Sequence, residues 1–589
     1  MKKNNIGPRA VFSMLAVLAL VTVFVFRLID IQVVSASALN ADALNKRSIP
    51  ATVFATRGDI VDKNGSVLAD SVMRYNITVS PKNTKDFYRT VDGKEQLITT
   101  QQAATEIASF TGQKPEEILK IVADALAKDP KSDFAYLKKA VEVDAFRSIK
   151  ALNIPWVFYE SAPGRSYPNG SVAANILGYV GQDGKSQAGV ELSEDECVTG
   201  VNGEEVYQRG ADGVRIPGST VTSVAAKNGG QLKLTIDSDL QWYTQQTLAA
   251  RVDQFGAKWG IAVVQEVKTG KLLAVADYPS FDSNNVSASP AANRGARSFQ
   301  APYEPGSTMK PLTAASLIEA GVATPASQVV APNSIMFPNG AHVADASAHG
   351  VLRLTLAGVI EQSSNVGITQ LGEALPAEKR YAFMEKFGIG EDTNIGFPGE
   401  SSGIVHPWQE WDYQTYYNTM FGQAFAATAI QMSSTYQALG NKGVRLPARL
   451  VENCTKPDGT VVTPKLAEPV KVVSEATARS TIDMMENFVT QGWITSSVSI
   501  PGYRIAMKTG TAEHSDGAGG LSSQFIVSNM GVFPAEDPQY VVTVVIADPQ
   551  ITQTAVVCPP VFKDIISQVI KRYRLQPTTT QATVLPIRF

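Results

Sequence analysis

In "YEPGSTMKPLTAASLIEAG", residues 303–321, a serine and a lysine stand at i and i+3, Ser307 and Lys310, where Pro305-Gly306 gives way to a helical pattern. Residues three apart share a helix face, so the hydroxyl and the ammonium can meet. A serine hydroxyl is a weak nucleophile until a base takes its proton, and lysine becomes such a base once burial or a nearby cation lowers its pKa. The same pair also fits a plain helix start, with serine as the N-cap and lysine solvated on the first turn. Two later stretches carry similar groups: "EQSSNVGITQ" brings Ser363, Ser364 and Asn365, and "AMKTGTAEH" brings Lys508, Thr509, Gly510 and Thr511. Taken singly, S-S-N suits any helix cap and K-T-G any strand-end turn. His342, His349, His406 and His514 fall in polar loops with no acidic partner suggested, which argues against a Ser-His-Asp triad.

Groups this far apart in sequence need a folded scaffold to bring them together. The chain has 589 residues, past the size at which one core stops growing, so two or more domains are expected. Apolar residues make up 44% and charged ones 18%, a folded protein's composition. With 52 basic against 55 acidic residues, net −3, and no basic block, there is no nucleic-acid footprint. The three cysteines, Cys197, Cys454 and Cys558, offer neither a disulfide framework nor a metal spacing. Cys454 and Cys558 could pair in an oxidising compartment; buried thiols are the simpler reading.

Lys2, Lys3 and Arg9 precede an uncharged apolar run over 10–26, at the short end of what crosses a bilayer, with Arg27 placed to snorkel. The basic flank predicts a cytoplasmic tail over 1–9, an anchor over 10–27, and everything beyond it outside the cell. A cleaved signal peptide is the competing reading, because Ala36-Ser37-Ala38 has the A-x-A form. Arg27 and Asp30, standing between the run and that site, favour an uncleaved anchor.

A first extracellular region, 34–224, mixes hairpin and helix signals. "RGDIVDKNGSVLAD" alternates around Asn64-Gly65, a two-residue hairpin signal, and "KPEEILKIVADALAK" predicts a helix with Pro115 in its first turn. "GVELSEDECVTGVNGEEVYQRGADGVRIPG" is turn-rich, and "AAKNGG" at 225–230 marks a boundary. The second region, 230–575, begins strand–helix with "QLKLTIDSDLQWYTQQTLAARVD", then a hairpin around Thr269-Gly270 and a largely helical stretch from about 307 to 440. A helix, the strands "YRIAMKTGTAE", "QFIVSNMGVFPA" and "QYVVTVVIADP", and a closing helix follow. This order predicts an α+β arrangement, an antiparallel sheet flanked by helices. The tail, 576–589, looks disordered or peripheral.

S-x-x-K, S-x-N and K-[ST]-G in this order resemble the motifs of the penicillin-binding proteins and serine β-lactamases. The chain as a whole resembles the class B penicillin-binding proteins, the monofunctional peptidoglycan transpeptidases. "ATRGDIVDKNGSVLAD" looks like their pedestal signature, which sets aside an Arg-Gly-Asp adhesion signal. "GRSYPNGSVAANILGYVG", "GVELSEDECVTG", "FGIGEDTNIGFPGE", "FGQAFAATAIQM" and "GVFPAEDPQYVVTVVI" are similar to family segments in the family order. A very short N-terminal tail and a C-terminus without added repeats look most like the actinobacterial division (FtsI-type) enzymes. Cys558, where the family often has a small residue, is a minor departure.

The resemblance implies a transpeptidase domain on an extended pedestal, or dimerisation-like, domain behind one transmembrane helix. It implies Ser307 as nucleophile, Lys310 as its base, and Lys508 both as the cation that depresses the pKa of Lys310 and as a magnet for a substrate carboxylate. Ser363 would relay a proton, Asn365 orient the substrate amide, and Thr509 and Thr511 bind the carboxylate. Gly510 would leave room for substrate backbone, and the amides of Ser307 and Thr511 would form an oxyanion hole. Stem peptides and β-lactam antibiotics are the implied ligands, and no metal or organic cofactor is implied. Because 34–223 lacks a glycosyltransferase-type acidic signature, a separate SEDS-family (FtsW-type) glycan polymerase is the implied partner. The alternatives are a D,D-carboxypeptidase or β-lactamase-like hydrolase, or a non-catalytic scaffold or sensor. Between the second and third motifs no E-x-x-L-N loop appears, the device that holds a hydrolytic water in class A β-lactamases.

Overall fold

The computed structural model describes residues 7–37, 48–91, 93–181, 183–208, 216–515 and 521–589. Lys2 and Lys3 of the basic flank, Ala38 of the A-x-A site and part of the turn-rich 189–218 stretch lie outside the described residues. The chain divides into two units, Met1–Thr56 with Gly200–Asn228, and Arg57–Thr199 with Gly229–Phe589.

The smaller unit holds a helix, Pro8–Ile29, continued by a π-helical turn over Asp30–Val34. Over these 27 residues it is long and apolar enough to cross a membrane. None of the Pro8–Ile29 side chains is buried, as expected of a helix apolar on every face that meets lipid rather than a protein core. The helix continues past the expected end at Arg27, whose guanidinium pairs with Asp30 at 2.7 Å. The unit also contains a three-stranded antiparallel sheet of Ser48–Val53, Gly203–Gln208 and Val221–Val224.

In the larger unit the Asn64-Gly65 hairpin is present. Gly65 takes a φ of 89°, and Asp62 Oδ1 accepts from the amides of Asn64 and Ser66 at 2.7 and 2.8 Å. The other oxygen, Oδ2, accepts from Ser238 Oγ at 2.8 Å, which ties the hairpin to the helix Ser238–Gln254. The predicted helix runs over Pro115–Lys128 and buries Ile118 and Val122. Strand Gln231–Leu234 pairs with Ile60–Val61 and with Val451–Thr455 in a seven-stranded sheet. The RG signature is structural here: Arg57 and Arg165 each donate from Nε to the fully buried Glu191 at 2.6 Å. The cysteine pairing differs from expectation. Cys197 and Cys454 form a disulfide and Cys558 is a free, buried thiol, because its place at the start of the closing helix turns Sγ onto the Val527 carbonyl at 3.4 Å.

Strands β1 (Trp259–Glu266), β2 (Leu272–Tyr278), β3 (Ala506–Ser515), β4 (Leu521–Phe533) and β5 (Tyr540–Ala547) form one antiparallel sheet in the order β2-β1-β5-β4-β3. Its central strand β5 is buried along its whole length, which its run of β-branched residues suits. One face packs on the Ser238–Gln254 helix and the closing helix through Leu248, Phe562 and Ile566. The other packs on the helical region through Leu312, Met432 and Met485. The helices that matter below are α1 (Lys310–Glu319), α2 (Leu356–Gln362), α3 (Asn365–Gly372) and α4 (Glu475–Gln491). The stretch expected to be largely helical also contains two small antiparallel strand pairs, Gln328–Ala331 with Leu352–Thr355 and, between them in the chain, Ser334–Met336 with His342–Ala344. The segment 576–589, expected to be disordered or peripheral, is bound along α4 and the start of α2; Thr583 O, for example, accepts from Asn487 Nδ2 at 2.9 Å.

Candidate active site

Ser307 lies on the tight turn Gly306–Met309 that runs straight into α1. The turn is pinned from several sides. Gly306 has a φ of 57°, and a Cβ there would stand 2.7 Å from Thr511 O; a Cβ on Gly422, φ 88°, would stand 2.0 Å from Gly306 O. The amide of Gly306 donates to Gly422 O at 2.8 Å, and Tyr436 Oη donates to Thr308 O at 2.8 Å. Glycine at 306 and 422 is therefore what lets the serine turn touch both β3 and the 422 loop.

Lys310 is wholly buried, and its Nζ meets Ser307 Oγ at 2.9 Å, Ser363 Oγ at 3.2 Å and the Ser363 carbonyl. Ser363 ends α2 in the left-handed region, φ 57°, a conformation that costs a β-carbon residue about 1–2 kcal/mol. That turn brings both its hydroxyl and its carbonyl onto the lysine. The next residue starts α3: Ser364 Oγ accepts from the Gly367 amide at 2.9 Å and donates to Asp345 Oδ2 at 2.7 Å. Asn365 Nδ2 donates to Ala344 O at 2.9 Å, which fixes the side chain's orientation.

Lys508 enters from β3, the edge strand of the sheet, and is also wholly buried. Its Nζ donates to Ser363 Oγ at 2.9 Å and to Thr509 O at 3.0 Å, and sits 4.6 Å from the centre of the Phe488 ring on α4. The Ser363 hydroxyl is thus bridged by both ammoniums. Thr509 and Thr511 follow on the same edge strand, Thr509 buried and Thr511 half-buried.

Burial pushes Lys310 down to about 7, with the Asp345 carboxylate acting the other way. Burial, and then the charge of Lys310, hold Lys508 well below the ordinary lysine range, against the pull of Glu361. Desolvation is the first cause for both lysines, and the two ammoniums also repel each other. Glu361, the last acidic residue of α2, is itself raised by burial, and Arg588 and Lys508 favour its charged form.

Four of the residues named from sequence are linked in one hydrogen-bonded chain, Ser307 to Lys310 to Ser363 to Lys508. Asn365 and Thr509–Thr511 border them in sequence. Gly510 has a packing reason of its own. A Cβ there would meet Pro305 O at 2.6 Å and Ser528 Oγ at 2.4 Å, so the packing of the serine turn and of β4 on β3 already requires glycine, whether or not substrate backbone also approaches it. Two of the four histidines do have acidic partners: His349 Nε2 lies 2.9 Å from Asp345 Oδ2, and His406 Nδ1 lies 3.5 Å from Glu410. Asp345 nonetheless serves the α3 start, with Oδ1 accepting from the Val366 amide at 2.9 Å, while the Ser307 hydroxyl meets Lys310. The side chain of His514 lies outside the described residues. Asp345, Phe488 and Glu361 were missed, since none belongs to a motif and each acts only through its fold neighbours.

Comparison with known proteins gives the family. The family model "Penicillin binding protein transpeptidase domain" matches residues 260–567, and "Penicillin-binding Protein dimerisation domain" matches 52–234. The chain is 34% identical to penicillin-binding protein PbpB of Mycolicibacterium smegmatis, over 97% of this chain and 92% of that one. It is 31% identical to peptidoglycan D,D-transpeptidase FtsI of Escherichia coli K12, over 89% and 85%. Among solved structures, a peptidoglycan synthetase from Bifidobacterium adolescentis superposes with a TM-score of 0.71 at 32% identity, over 92% of this chain and all of that one. Penicillin binding protein 3 of Mycobacterium tuberculosis complexed with ampicillin gives 0.69 at 26%, over 92% and 100%. The chain is a serine-type D,D-transpeptidase. With a dimerisation domain preceding the transpeptidase domain, the chain belongs to the class B penicillin-binding proteins.

Proposed function

We propose that this enzyme cross-links the stem peptides of peptidoglycan through an acyl-enzyme on Ser307, outside the membrane and at the division septum, and that β-lactams acylate the same serine. The observation that carries the reading is the contact of Ser307 Oγ with Lys310 Nζ at 2.9 Å, in a site where burial brings the lysine to about 7. Neutral Lys310 takes the hydroxyl proton as Oγ attacks the penultimate D-Ala carbonyl carbon. The amides of Ser307 and Thr511, whose segments touch through Gly306, receive the oxyanion. The C–N bond breaks, and terminal D-Ala leaves as the amine after taking a proton through Ser363 Oγ, which both lysines reach. An acceptor amine then attacks the ester carbon and gives a proton to Lys310; the C–Oγ bond breaks, and Lys310 returns that proton to Oγ, regenerating the serine.

Lys508 binds the terminal carboxylate of the donor, with Thr509 and Thr511 beside it. That carboxylate favours the charged form of Lys508, and a charged Lys508 disfavours charge on Lys310, so binding of the donor readies the base. An extended donor peptide fits as an added strand along the outer edge of β3. Asn365 orients the donor amide. In this reading the chain consists of a tail over 1–9, an anchor over 10–27, a pedestal over 34–224 and a transpeptidase domain over 230–575. The catalytic domain faces away from the cytoplasm and works beside a SEDS-family glycan polymerase. The relative named FtsI and the crystal complex with ampicillin support the division role and the antibiotic as ligand.

The test is labelling with a fluorescent penicillin in parent and Ser307→Ala chains. The reading expects one labelled protein in the parent and none in the variant; a labelled Ser307→Ala chain would move the nucleophile elsewhere. For location, a fluorescent fusion should concentrate at mid-cell during division. Signal along the side wall or poles without the septum would reject the division role.

A further inference from the structure

The segment 583–589, "TVLPIRF", is clasped where the second catalytic motif is held. Thr355 is the N-cap of α2, and its Oγ1 does two things: it accepts from the Gly358 amide at 3.0 Å and donates to Pro586 O at 2.5 Å. The Thr355 amide donates to Ile587 O at 3.2 Å. One step back, the Phe589 amide donates to Arg353 O at 3.4 Å, and the Arg353 guanidinium covers the Phe589 ring at 4.4 Å. On the neighbouring helix, Asn487 of α4 holds Thr583 O at 2.9 Å and the Leu585 amide at 3.0 Å. Leu585 packs against the cluster that contains Leu356, Val359, Ile360 and Met484.

Both helices gripped in this way end in the active centre. The short helix α2 has only seven residues, and Ser363 is its C-cap, so a shift at its N-cap carries directly to the hydroxyl between the two lysines. Helix α4 carries Phe488, the residue after Asn487, beneath Lys508. Gly358 records the fit: a Cβ there would stand 1.9 Å from Ile587 O, so the residue is glycine because the segment lies on it. The charge of Arg588 also reaches the centre, since it favours the ionised form of Glu361, which in turn favours charge on Lys508.

We propose that residues 583–589 form a strap that sets the register of α2 and α4, making Gly358, Asn487 and the strap itself positioning elements for Ser363 and Lys508. The proposal rests on the acyl-enzyme reading, so the parent chain must first be acylated by penicillin; a parent that is not acylated refutes that reading and leaves nothing to position. Given an acylated parent, the test is the full chain lacking 583–589. Its acylation rate constant should fall by about tenfold to a hundredfold, as sub-ångström to one-ångström misplacement of catalytic groups does. The pH midpoint of acylation should move, and adding the synthetic peptide TVLPIRF should restore rate and midpoint together. Acylation at the parental rate and midpoint would overturn the proposal, and so would a loss that the peptide does not repair in a chain with parental circular dichroism. Should the shortened chain not fold, Gly358→Ala displaces only the strap and is read in the same assay. An unchanged rate and midpoint in that folded variant would equally overturn it.

Discussion

At the scale of single residues, the chemistry turns on how burial treats two lysines. An exposed lysine stays charged to about pH 10.4, and a charged ammonium cannot take the Ser307 proton. Burial brings Lys310 to about 7. The sign follows: below that value Lys310 holds its proton and is inert, above it the neutral amine accepts. Acylation by penicillin should therefore rise as pH increases through about 7 and level off above it. A rate flat from pH 5 to 9 would remove Lys310 as the base. Lys310→Ala should lower the acylation rate by about 10²–10⁴-fold, the usual worth of a positioned general base. Stopped-flow with a chromogenic cephalosporin reads this, and a variant within a few-fold of the parent would make the lysine structural. Lys508→Ala should chiefly raise the concentration of donor mimic needed for half-saturation, with a smaller loss in rate, since its charge both binds the carboxylate and biases Lys310. A change in rate alone would contradict that role.

The elements explain why these residues meet. The serine turn is squeezed between β3 and the 422 loop, with glycine at 306, 422 and 510 wherever a Cβ would strike backbone. Gly422→Ala places a methyl 2.0 Å from Gly306 O on a residue at φ 88°, so it should push the turn off β3. We expect a folded protein whose acylation is slower by about tenfold or more, by the same misplacement argument. Parental acylation in that variant would show the turn to be held by something else. Much at this scale was legible in the sequence. The three motifs, the Asn64-Gly65 hairpin, strands β3 to β5 and the closing helix all carry local signals that the fold obeys. What was not legible was pairwise and long-range. Asp345 gripping Ser364 leaves no trace in a pattern, and the reason Gly510 is glycine lies in Pro305, far away in the chain. The tail 576–589 read as disordered or peripheral, and its polar, Thr-rich first half carries no signal to the contrary. What the domain binds is the backbone of 583–589 together with Leu585 and Phe589, and no local pattern pairs those with α2 and α4.

For the whole molecule, the larger unit is tied across long sequence distances by groups the sequence showed but did not pair. The Cys197–Cys454 disulfide spans 257 residues, and three cysteines alone could not say which two would join. Glu191, wholly buried, holds Arg57 and Arg165 together, and its removal would leave the buried Arg165 without its carboxylate and Arg57 with Asp195 alone. Glu191→Ala should cost about 3–5 kcal/mol, the range for breaking a buried ion pair, where an exposed pair would cost about 1 or less. Thermal unfolding of the full chain in detergent measures it, and a midpoint unchanged by the substitution would contradict the role given to this cluster. The central claim is that Ser307 forms a long-lived acyl-enzyme awaiting an amine, not water. Asp345, the carboxylate whose charge acts on Lys310, is engaged at the start of α3, with Oδ1 accepting from the Val366 amide and Oδ2 bonded to Ser364 and His349. Intact-mass spectrometry after penicillin is added and then removed tests the claim most directly. The account predicts one penicilloyl adduct, mapped to Ser307, absent in Ser307→Ala and persisting far beyond a lactamase turnover; prompt return to the unmodified mass with catalytic loss of the drug would contradict it.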